Sequence, residues 1–263
     1  MKISITLNGE KRSFEIAPNE TLFHLLRRSG IRSVKFGSED GADGYSTVLV
    51  NGRPRAAIVT LAAQVEGADI LTVEGLSGPQ QRGWRGSAAL HPIQRAFVET
   101  GAIQSGYDTP ALVLLAKALL DRNPNPTEAE VRDWISGVLS RETGYTKPVQ
   151  AILRAAAYLR GETPPPLEGG PGEMFVLPED LLPPEEPVEP YEISGSGGAA
   201  TRTLTTPKVV VTPQAEEFRV VGKPLPKVDA LKLVQGKPAF VADFEQPGML
   251  YAKVLHSPYA HAR

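Results

Sequence analysis

Apolar and polar residues alternate along the first part of the chain, over residues 2–7 and 13–17. A period of two is typical of strands that bury one face. The dipeptide Asn8-Gly9 lies between the two runs, and Asn-Gly is a strong signal for a two-residue hairpin turn. The pattern therefore predicts a β-hairpin at the start of the chain.

A helix and a second hairpin follow in the sequence. Thr21 can cap a helix over residues 22–29, in which leucines three and four residues apart share one face. Residues 47–50 predict a strand, and an Asn-Gly turn at 51–52 leads to a partner strand that continues through 57–59. The sheet half of the sequence thus holds two hairpins and one helix.

A last short strand is expected at residues 70–73, where Glu74-Gly75 ends it. Two hairpins, one helix and a final strand predict a small β-grasp sheet over residues 1–77, so the fold class is α+β once the helices that follow are included.

From residue 92 onwards the apolar positions recur with a helical period. The predicted helices cover residues 92–100, 109–122, 127–138 and 147–160. An Asn-Pro-Asn-Pro stretch at 123–126 separates two of them, and Thr127 with Glu130 resembles a capping box. Four short helices joined by short loops predict a four-helix bundle over residues 84–161.

The composition changes again after the helical half. Residues 161–192 hold many prolines and nine acidic residues without Lys or Arg, and a Gly-Ser-rich stretch follows. Such a segment buries too little apolar surface to offset its ordering entropy, which predicts a linker over 162–215. Residues 216–263 have the pattern of short strands broken by Pro and Gly. They are too few for an independent core, so they are expected to complete their fold against another polypeptide.

Composition narrows the classes of function. With 28 basic and 30 acidic residues the net charge is −2, which gives no electrostatic reason to expect nucleic acid or an anionic membrane as partner. No run of about 18 apolar residues occurs and the first residues lack an apolar signal region, so the expected location is the cytoplasm. The chain has no cysteine, which excludes thiolate ligands for iron, disulfides and a thiol nucleophile.

Five stretches of the chain resemble one known family. Residues 37–48 read GSEDGADGYSTV, in the frame of the ferredoxin loop G-C-x-x-G-x-C-G-x-C-T-V, and residues 72–76 read TVEGL. In the helical half, residues 91–97 read HPIQRAF, 104–111 read QSGYDTPA and 139–145 read LSRETGY. In order and spacing these motifs resemble the molybdenum hydroxylases, the family of xanthine dehydrogenase and aldehyde oxidoreductase.

The resemblance covers about residues 1–160 and 218–263. It implies a ferredoxin-like β-grasp domain, a helical [2Fe-2S]-type domain, and a tail similar to the start of the molybdenum-binding subunit, with a partial α/β hammerhead fold. The order of these parts, without a flavin domain between them, is similar to that of the aldehyde oxidoreductases.

The family holds each [2Fe-2S] cluster with four cysteines, because soft anionic sulfur donors match iron. In this chain the eight matching positions hold other residues, which are Ser38, Asp43, Ser46 and Ile58 for the first cluster and Ser105, Asp108, Ser140 and Glu142 for the second. Serine is a poor ligand for iron and isoleucine is none. Both clusters are therefore expected to be absent, and no cofactor and no metal are expected on this chain.

The replacements allow more than one interpretation. Engineering to serine accounts for four of the eight positions, but Asp, Glu and Ile are unusual engineering choices, so natural loss fits better. Asp108 and Glu142, with two serines beside them, offer oxygen donors to a hard cation. The plainer interpretation is that both carboxylates accept hydrogen bonds from loop amides or pair with Arg141.

Gln104 is a candidate cofactor contact. In the family, a glutamine precedes the first cysteine of the second cluster, at the position of Ser105, and lies against the pterin. The resemblance therefore implies that Gln104 touches a partner's molybdopterin. The alternative is an ordinary surface glutamine. No catalytic residue is expected, because the four histidines are scattered and no nucleophile motif occurs. His91 is expected to cap or pack at the start of a helix.

The function implied by the resemblance is that of a cluster-free structural subunit of an oxidoreductase complex, without catalysis of its own. It would complete the fold of a separate molybdopterin-binding large subunit, and further oligomerisation stays open. One alternative is a participating subunit of an active hydroxylase whose catalytic site lies on the partner. The other is a free-standing regulatory or binding module that reuses the scaffold.

Overall fold

The computed structural model of the chain describes residues 1–76, 90–142, 144–164, 166–167, 227, 229–244, 248–252 and 254–259. Residues 1–165 and 226–263 form one compact unit, and residues 166–225 form a second. Almost all of the predicted linker and the first part of the predicted tail lie outside the described residues. The four predicted domain boundaries stay predictions.

Five strands form one mixed sheet, and they are β1 (Lys2–Leu7), β2 (Glu10–Glu15), β3 (Thr47–Val50), β4 (Arg53–Ala56) and β5 (Asp69–Leu71). The strand order is β2-β1-β5-β3-β4, with β1 and β5 parallel and the other pairs antiparallel. Asn8 and Asn51 have φ angles of 51° and 50°, the left-handed conformation that two-residue hairpin turns require. Both predicted hairpins are therefore confirmed.

Helix α1 (Leu22–Arg28) packs its apolar face into the core of the sheet half. Leu22, Leu25 and Leu26 are fully buried, and the Thr21 hydroxyl accepts from the amide of His24, as the sequence predicted. A small mixed sheet with one packed helix is the arrangement that the β-grasp prediction requires.

Two predicted strands differ from the observed ones. β4 ends at Ala56 rather than continuing through 57–59, because the carbonyl of Ala57 accepts from the amide of Phe23 at 3.0 Å and turns the chain toward α1. β5 ends at Leu71 rather than at 73. The amide of Thr72 donates to the Asn8 side chain at 2.9 Å, and a 3₁₀ turn follows.

The four helices predicted for the helical half are present, as α2 (Pro92–Glu99), α3 (Thr109–Arg122), α4 (Glu128–Ile135) and α5 (Thr146–Leu159). His91 caps α2, and Thr127 with Glu130 forms the expected capping box of α4. α2 packs on α5, and α3 packs on α4 and on β3. The coarse class, a small sheet combined with helices, is confirmed, whereas the four-helix-bundle assignment is not confirmed.

The described part of the tail forms a helix, α6 (Ala230–Val234), where short strands were predicted. The error has a physical cause, since Ala230, Leu233 and Val234 are spaced to share one helical face, and all three are buried. This face packs on α2 and α3 of the same chain, so part of the tail completes its core without another polypeptide. The hammerhead assignment of the tail is not confirmed.

Across the described ranges, every helix is too short or too polar to cross a membrane.

Candidate functional site

Three of the four predicted positions of the first cluster lie in the loop between α1 and β3, and the fourth lies just after β4. We call these four residues the first pocket (Ser38, Asp43, Ser46 and Ile58). A Cβ added to Gly37 would lie 2.4 Å from Cγ of Asp43, so this carboxylate lies directly against the loop backbone. The amide of Tyr45 donates to Oδ1 of Asp43 at 2.7 Å. The loop is thus folded around its own carboxylate.

Ile58 fills the opposite wall of the first pocket with methyl groups. A Cβ added to Gly41 would lie 2.9 Å from Cγ2 of Ile58, and the Ile58 amide donates to Oγ of Ser46 at 3.3 Å. Oδ2 of Asp43 is buried and meets no hydrogen-bond partner. A pocket with one hydrocarbon wall does not form a complete set of metal ligands.

The four predicted positions of the second cluster, the second pocket (Ser105, Asp108, Ser140 and Glu142), come from two loops. The amide of Ser105 donates to Oε2 of Glu142 at 3.0 Å, and the Ser105 hydroxyl also bonds this carboxylate. Asp108, Ser140 and Glu142, with Gln104, line a cavity of about 10 Å³. The structure therefore places Asp108, Ser140 and Glu142 around a space no larger than about one water molecule needs, and Ser105 joins them through its bond to Glu142.

Asp108 immediately precedes α3 and is 6% exposed. Burial, and then the nearby Glu142 carboxylate, raise the pKa of Asp108 above its ordinary value, against a hydrogen bond from Ser140. Burial together with the charge of Asp108 also raises the pKa of Tyr45. The second pocket is consequently an environment that disfavours negative charge.

The second pocket and the loop of the first pocket are in direct contact. The hydroxyl of Tyr45 donates to the carbonyl of Leu139 at 2.5 Å, and the amide of Leu139 donates to the carbonyl of Asp43 at 2.9 Å. A Cβ added to Gly44 would lie 2.2 Å from the carbonyl oxygen of Gly137, so the two backbones touch there. These contacts connect the sheet half to the helical half.

The raised pKa of Asp108 predicts how stability depends on pH. A carboxyl group whose folded pKa exceeds its unfolded value binds its proton more tightly in the folded protein, so its contribution to stability is lost as pH rises through the folded pKa. We expect Asp108→Asn to raise the free energy of unfolding at pH 7. The gain should shrink as pH falls and vanish below the ordinary value of 3.8.

Urea unfolding of the variant and of the original chain between pH 3 and pH 8 measures this difference. Asp133→Asn, on the exposed side of α4, is the matched control and should leave the pH dependence unchanged. A gain for Asp108→Asn that is the same at every pH would contradict the assignment.

The second pocket offers the carboxylates of Asp108 and Glu142 as possible ligands for a metal ion. No group of three or more His, Cys, Asp or Glu side chains able to hold a metal ion occurs among the residues that the structure describes. The amide of Ser105 bonds the carboxylate of Glu142, which agrees with the plainer of the two sequence interpretations. Gln104 is half-buried at the edge of this cavity, and its predicted pterin contact stays a prediction.

Glu74 is a structural residue that the sequence reasoning did not single out. Its Oε1 accepts from the amides of Arg32 and Ser33 at 3.0 and 2.9 Å, and its Oε2 accepts from the hydroxyls of Ser33 and Thr72 at 2.5 and 2.7 Å. The signal was present in the TVEGL motif at 72–76, which served as a family motif and as the end of a strand but gave no role to the Glu74 side chain.

Comparisons with known proteins agree with this architecture. Residues 72–153 match the [2Fe-2S] binding domain. The nicotinate dehydrogenase small FeS subunit of Eubacterium barkeri is 43% identical over 155 residues, which are 59% of this chain and 93% of that subunit. The probable hypoxanthine oxidase XdhD of Escherichia coli is 31% identical over 264 aligned positions, which are 100% of this chain and 22% of that protein.

A solved structure from the same family has a similar fold. The aldehyde oxidoreductase from Desulfovibrio desulfuricans superimposes with a TM-score of 0.63 at 28% identity, over 92% of this chain and 22% of that one. The chain thus spans nearly all of the small subunit from Eubacterium but only about a fifth of the two long relatives. The chain belongs to the molybdenum hydroxylase family, which includes xanthine dehydrogenase and aldehyde oxidoreductase, and it has lost the cysteines of the family's clusters.

The prediction that this chain binds no cofactor is contradicted by these findings. The matched domain is described by its [2Fe-2S] binding, and the relative from Eubacterium is an FeS subunit, so an iron–sulfur cofactor is indicated for the domain. The donors in the two pockets do not fit a thiolate-ligated cluster, because they are hydroxyls, carboxylates and one hydrocarbon side chain.

Proposed function

We propose that the chain is a structural subunit of an oxidoreductase complex of the molybdenum hydroxylase type. It docks on a large subunit that binds molybdopterin, and the oxidation chemistry takes place on that partner. The names of the relatives support the proposal, since they include a small FeS subunit of nicotinate dehydrogenase. A location in the cytoplasm stays part of the proposal.

One observation carries the structural role. In the second pocket the loops that would hold a cluster still converge, but a bond from Ser105 to Glu142 joins them and the remaining space is about 10 Å³. Electron transfer through a thiolate-ligated cluster needs soft sulfur donors, and the chain has none. The pockets therefore retain the folded loops of the domain without the sulfur donors of a cluster.

Exposed apolar side chains support docking on a partner. In the described part of the tail beyond α6, seven large apolar residues are at least half exposed, and these are Val241, Phe244, Leu250, Tyr251, Val254, Leu255 and Tyr259. Clustered exposed apolar residues often mark an interaction surface. Gln104, half-buried at the second pocket, is the residue that we place against the pterin of the partner.

The test is to purify the tagged full-length chain from the cells that make it and to measure molybdenum, pterin and iron together. We expect a complex with a large subunit, with molybdenum and pterin in equal amounts. Gln104→Ala should leave the complex intact and change the fluorescence of its pterin. The same complex with iron bound by this chain would overturn the structural role. A monomer without molybdenum would favour a free-standing module instead.

A further inference from the structure

A groove between the sheet half and the helical half holds residues 229–244 of the tail. On the floor of this groove, Leu233 lies on Gly106, where an added Cβ would come within 2.6 Å of Cδ1 of Leu233. Gly106 has a φ of +81°, a conformation that favours glycine, and the missing side chain leaves room for the leucine. The groove is therefore shaped to fit this helix.

Gln94 binds the end of α6 from within the groove. This side chain is fully buried, and its Nε2 donates to the carbonyl of Val234 at 2.7 Å and more weakly to that of Val73 at 3.4 Å. Its Oε1 accepts from the amide of His91 at 3.0 Å. One glutamine thus joins the tail to the 3₁₀ turn of the sheet half and to the start of α2.

The next contact lies at Gly236, just after α6. Its φ is +71°, and an added Cβ would come within 2.7 Å of the Glu74 carboxylate and 2.9 Å of Cβ of Ser33. A side chain here would be strained and would collide with the group that organises the TVEGL turn. The tail backbone is therefore in direct contact with the sheet half at this point.

Asp243 forms a buried ion pair at the far end of the groove. Its carboxylate accepts from Nζ of Lys35 at 2.6 and 2.8 Å and from Arg27 at 3.0 Å, and the Lys35 and Asp243 side chains are 4% and 1% exposed. The amides of Ala239 and Phe240 donate to the same carboxylate at 3.1 and 3.2 Å. All of the donors needed by a buried carboxylate are present.

Lys35 and Arg27 face Asp243 across the groove, and burial lowers the pKa of Lys35 although the Asp243 carboxylate opposes this shift. Burial opposes ionisation of Asp243, but the hydrogen bonds from Lys35 and Arg27 hold its pKa below the ordinary value. The ring of Phe240 lies 4.8 Å from Nζ of Lys35 and packs against the edge of Tyr107, with 5.1 Å between the two ring centres. The positive side of the pair belongs to residues before position 40 and the negative side to the tail.

We infer that this groove is a docking site for residues 229–244 of the same molecule, fixed by the Lys35–Asp243 ion pair, and that it holds the tail to the rest of the chain without help from the connecting residues 166–225. The occupant is recognised by three features: a leucine over Gly106, a glycine at the contact with Glu74, and a carboxylate between Lys35 and Arg27. Asp243 is a positioning residue, because its ion pairs with Lys35 and Arg27 fix the point at which the chain leaves the groove. This inference does not depend on the proposed function.

The relatives are consistent with a site of this kind. The small subunit from Eubacterium matches 59% of this chain, whereas the aldehyde oxidoreductase from Desulfovibrio desulfuricans covers 92% of it within one long polypeptide. A non-covalent docking site suits a family in which corresponding parts occur in chains of such different length.

The test cuts the folded full-length chain once, at a protease recognition site inserted between Gly197 and Gly198. The two pieces are then diluted in steps and followed by size-exclusion chromatography, which gives their Kd. We expect the cut chain to elute as one particle with the mass of a single chain. Lys35→Met should raise the Kd on the order of 100-fold, because it leaves Asp243 buried with only part of its pairing.

Two further variants keep the test decisive if Lys35→Met folds poorly. Leu233→Ala alters only the tail side and should raise the Kd at least about tenfold. Lys227→Met removes an ion pair to Asp229 that is solvent-exposed, and it should leave the Kd unchanged. The inference is overturned if the two pieces of the cut chain separate at micromolar concentration. It is also overturned if all three variants have the same Kd, or if the particle has the mass of two chains.

Discussion

A variant with four cysteines in the second pocket is expected to take up a [2Fe-2S] cluster. The change combines Ser105→Cys, Asp108→Cys, Ser140→Cys and Glu142→Cys, and anaerobic reconstitution with iron and sulfide follows. The physical reason is that Asp108, Ser140 and Glu142 already line one small cavity and Ser105 bonds Glu142, so the four substituted positions lie close together. Iron and sulfide analysis with visible absorption spectroscopy measures the result.

The matched control keeps Glu142 and changes only the other three residues. Three thiolates and a carboxylate bind such a cluster less firmly, so we expect clearly less iron and sulfide in this control. The corresponding change in the first pocket includes Ile58→Cys, which also removes buried packing against Gly41. If the four-cysteine chain folds and binds no more iron than the original chain, the second pocket does not have the geometry assigned to it.

Glu74→Ala is expected to lower the free energy of unfolding by about 3 kcal/mol or more, since hydrogen bonds to a charged group each contribute roughly 1.5–3 kcal/mol. The variant removes the Glu74 oxygens that accept from the amides of Arg32 and Ser33 and from the hydroxyl of Thr72. It also removes the carboxylate that Gly236 contacts. Chemical denaturation followed by circular dichroism measures the loss.

Glu66→Ala is the control for this prediction. The Glu66 carboxylate accepts one bond, from the exposed amide of Ser4 at 2.8 Å. Because water reaches this bond and replaces it, we expect the loss to be less than about 1 kcal/mol. Equal losses for the two variants would show that the four bonds to Glu74 do not act as assigned.

Local signals in the sequence predicted most of the secondary structure. The two Asn-Gly turns, the Thr21 cap and the capping box at Thr127 each depend on residues that are neighbours in the chain, and all of them are confirmed. The ends of β4 and β5 were placed wrongly. They depend on bonds to Phe23 and Asn8, which are distant in the sequence.

The contacts of the tail and the packing inside the two pockets could not be predicted from the sequence. The pairing of Lys35 with Asp243 joins residues 208 positions apart, and nothing in the local pattern marks either one as the other's partner. Family motifs indicated which positions form each pocket, but not what fills them. That Ile58 packs on Gly41 and that Ser105 bonds Glu142 follow from side-chain volume and geometry, which appear only in three dimensions.

The backbone contact between Gly44 and Gly137 has a consequence for chimeric proteins made by exchanging parts between family members. A methyl group at position 44 would come within 2.2 Å of the carbonyl oxygen of Gly137, so the two halves fit each other only through a glycine there. A sheet half transplanted from a relative needs glycine at the position of Gly44, or it forces the loop after α4 to retreat. Parts can therefore be exchanged at this contact only between family members that have glycine at the position of Gly44.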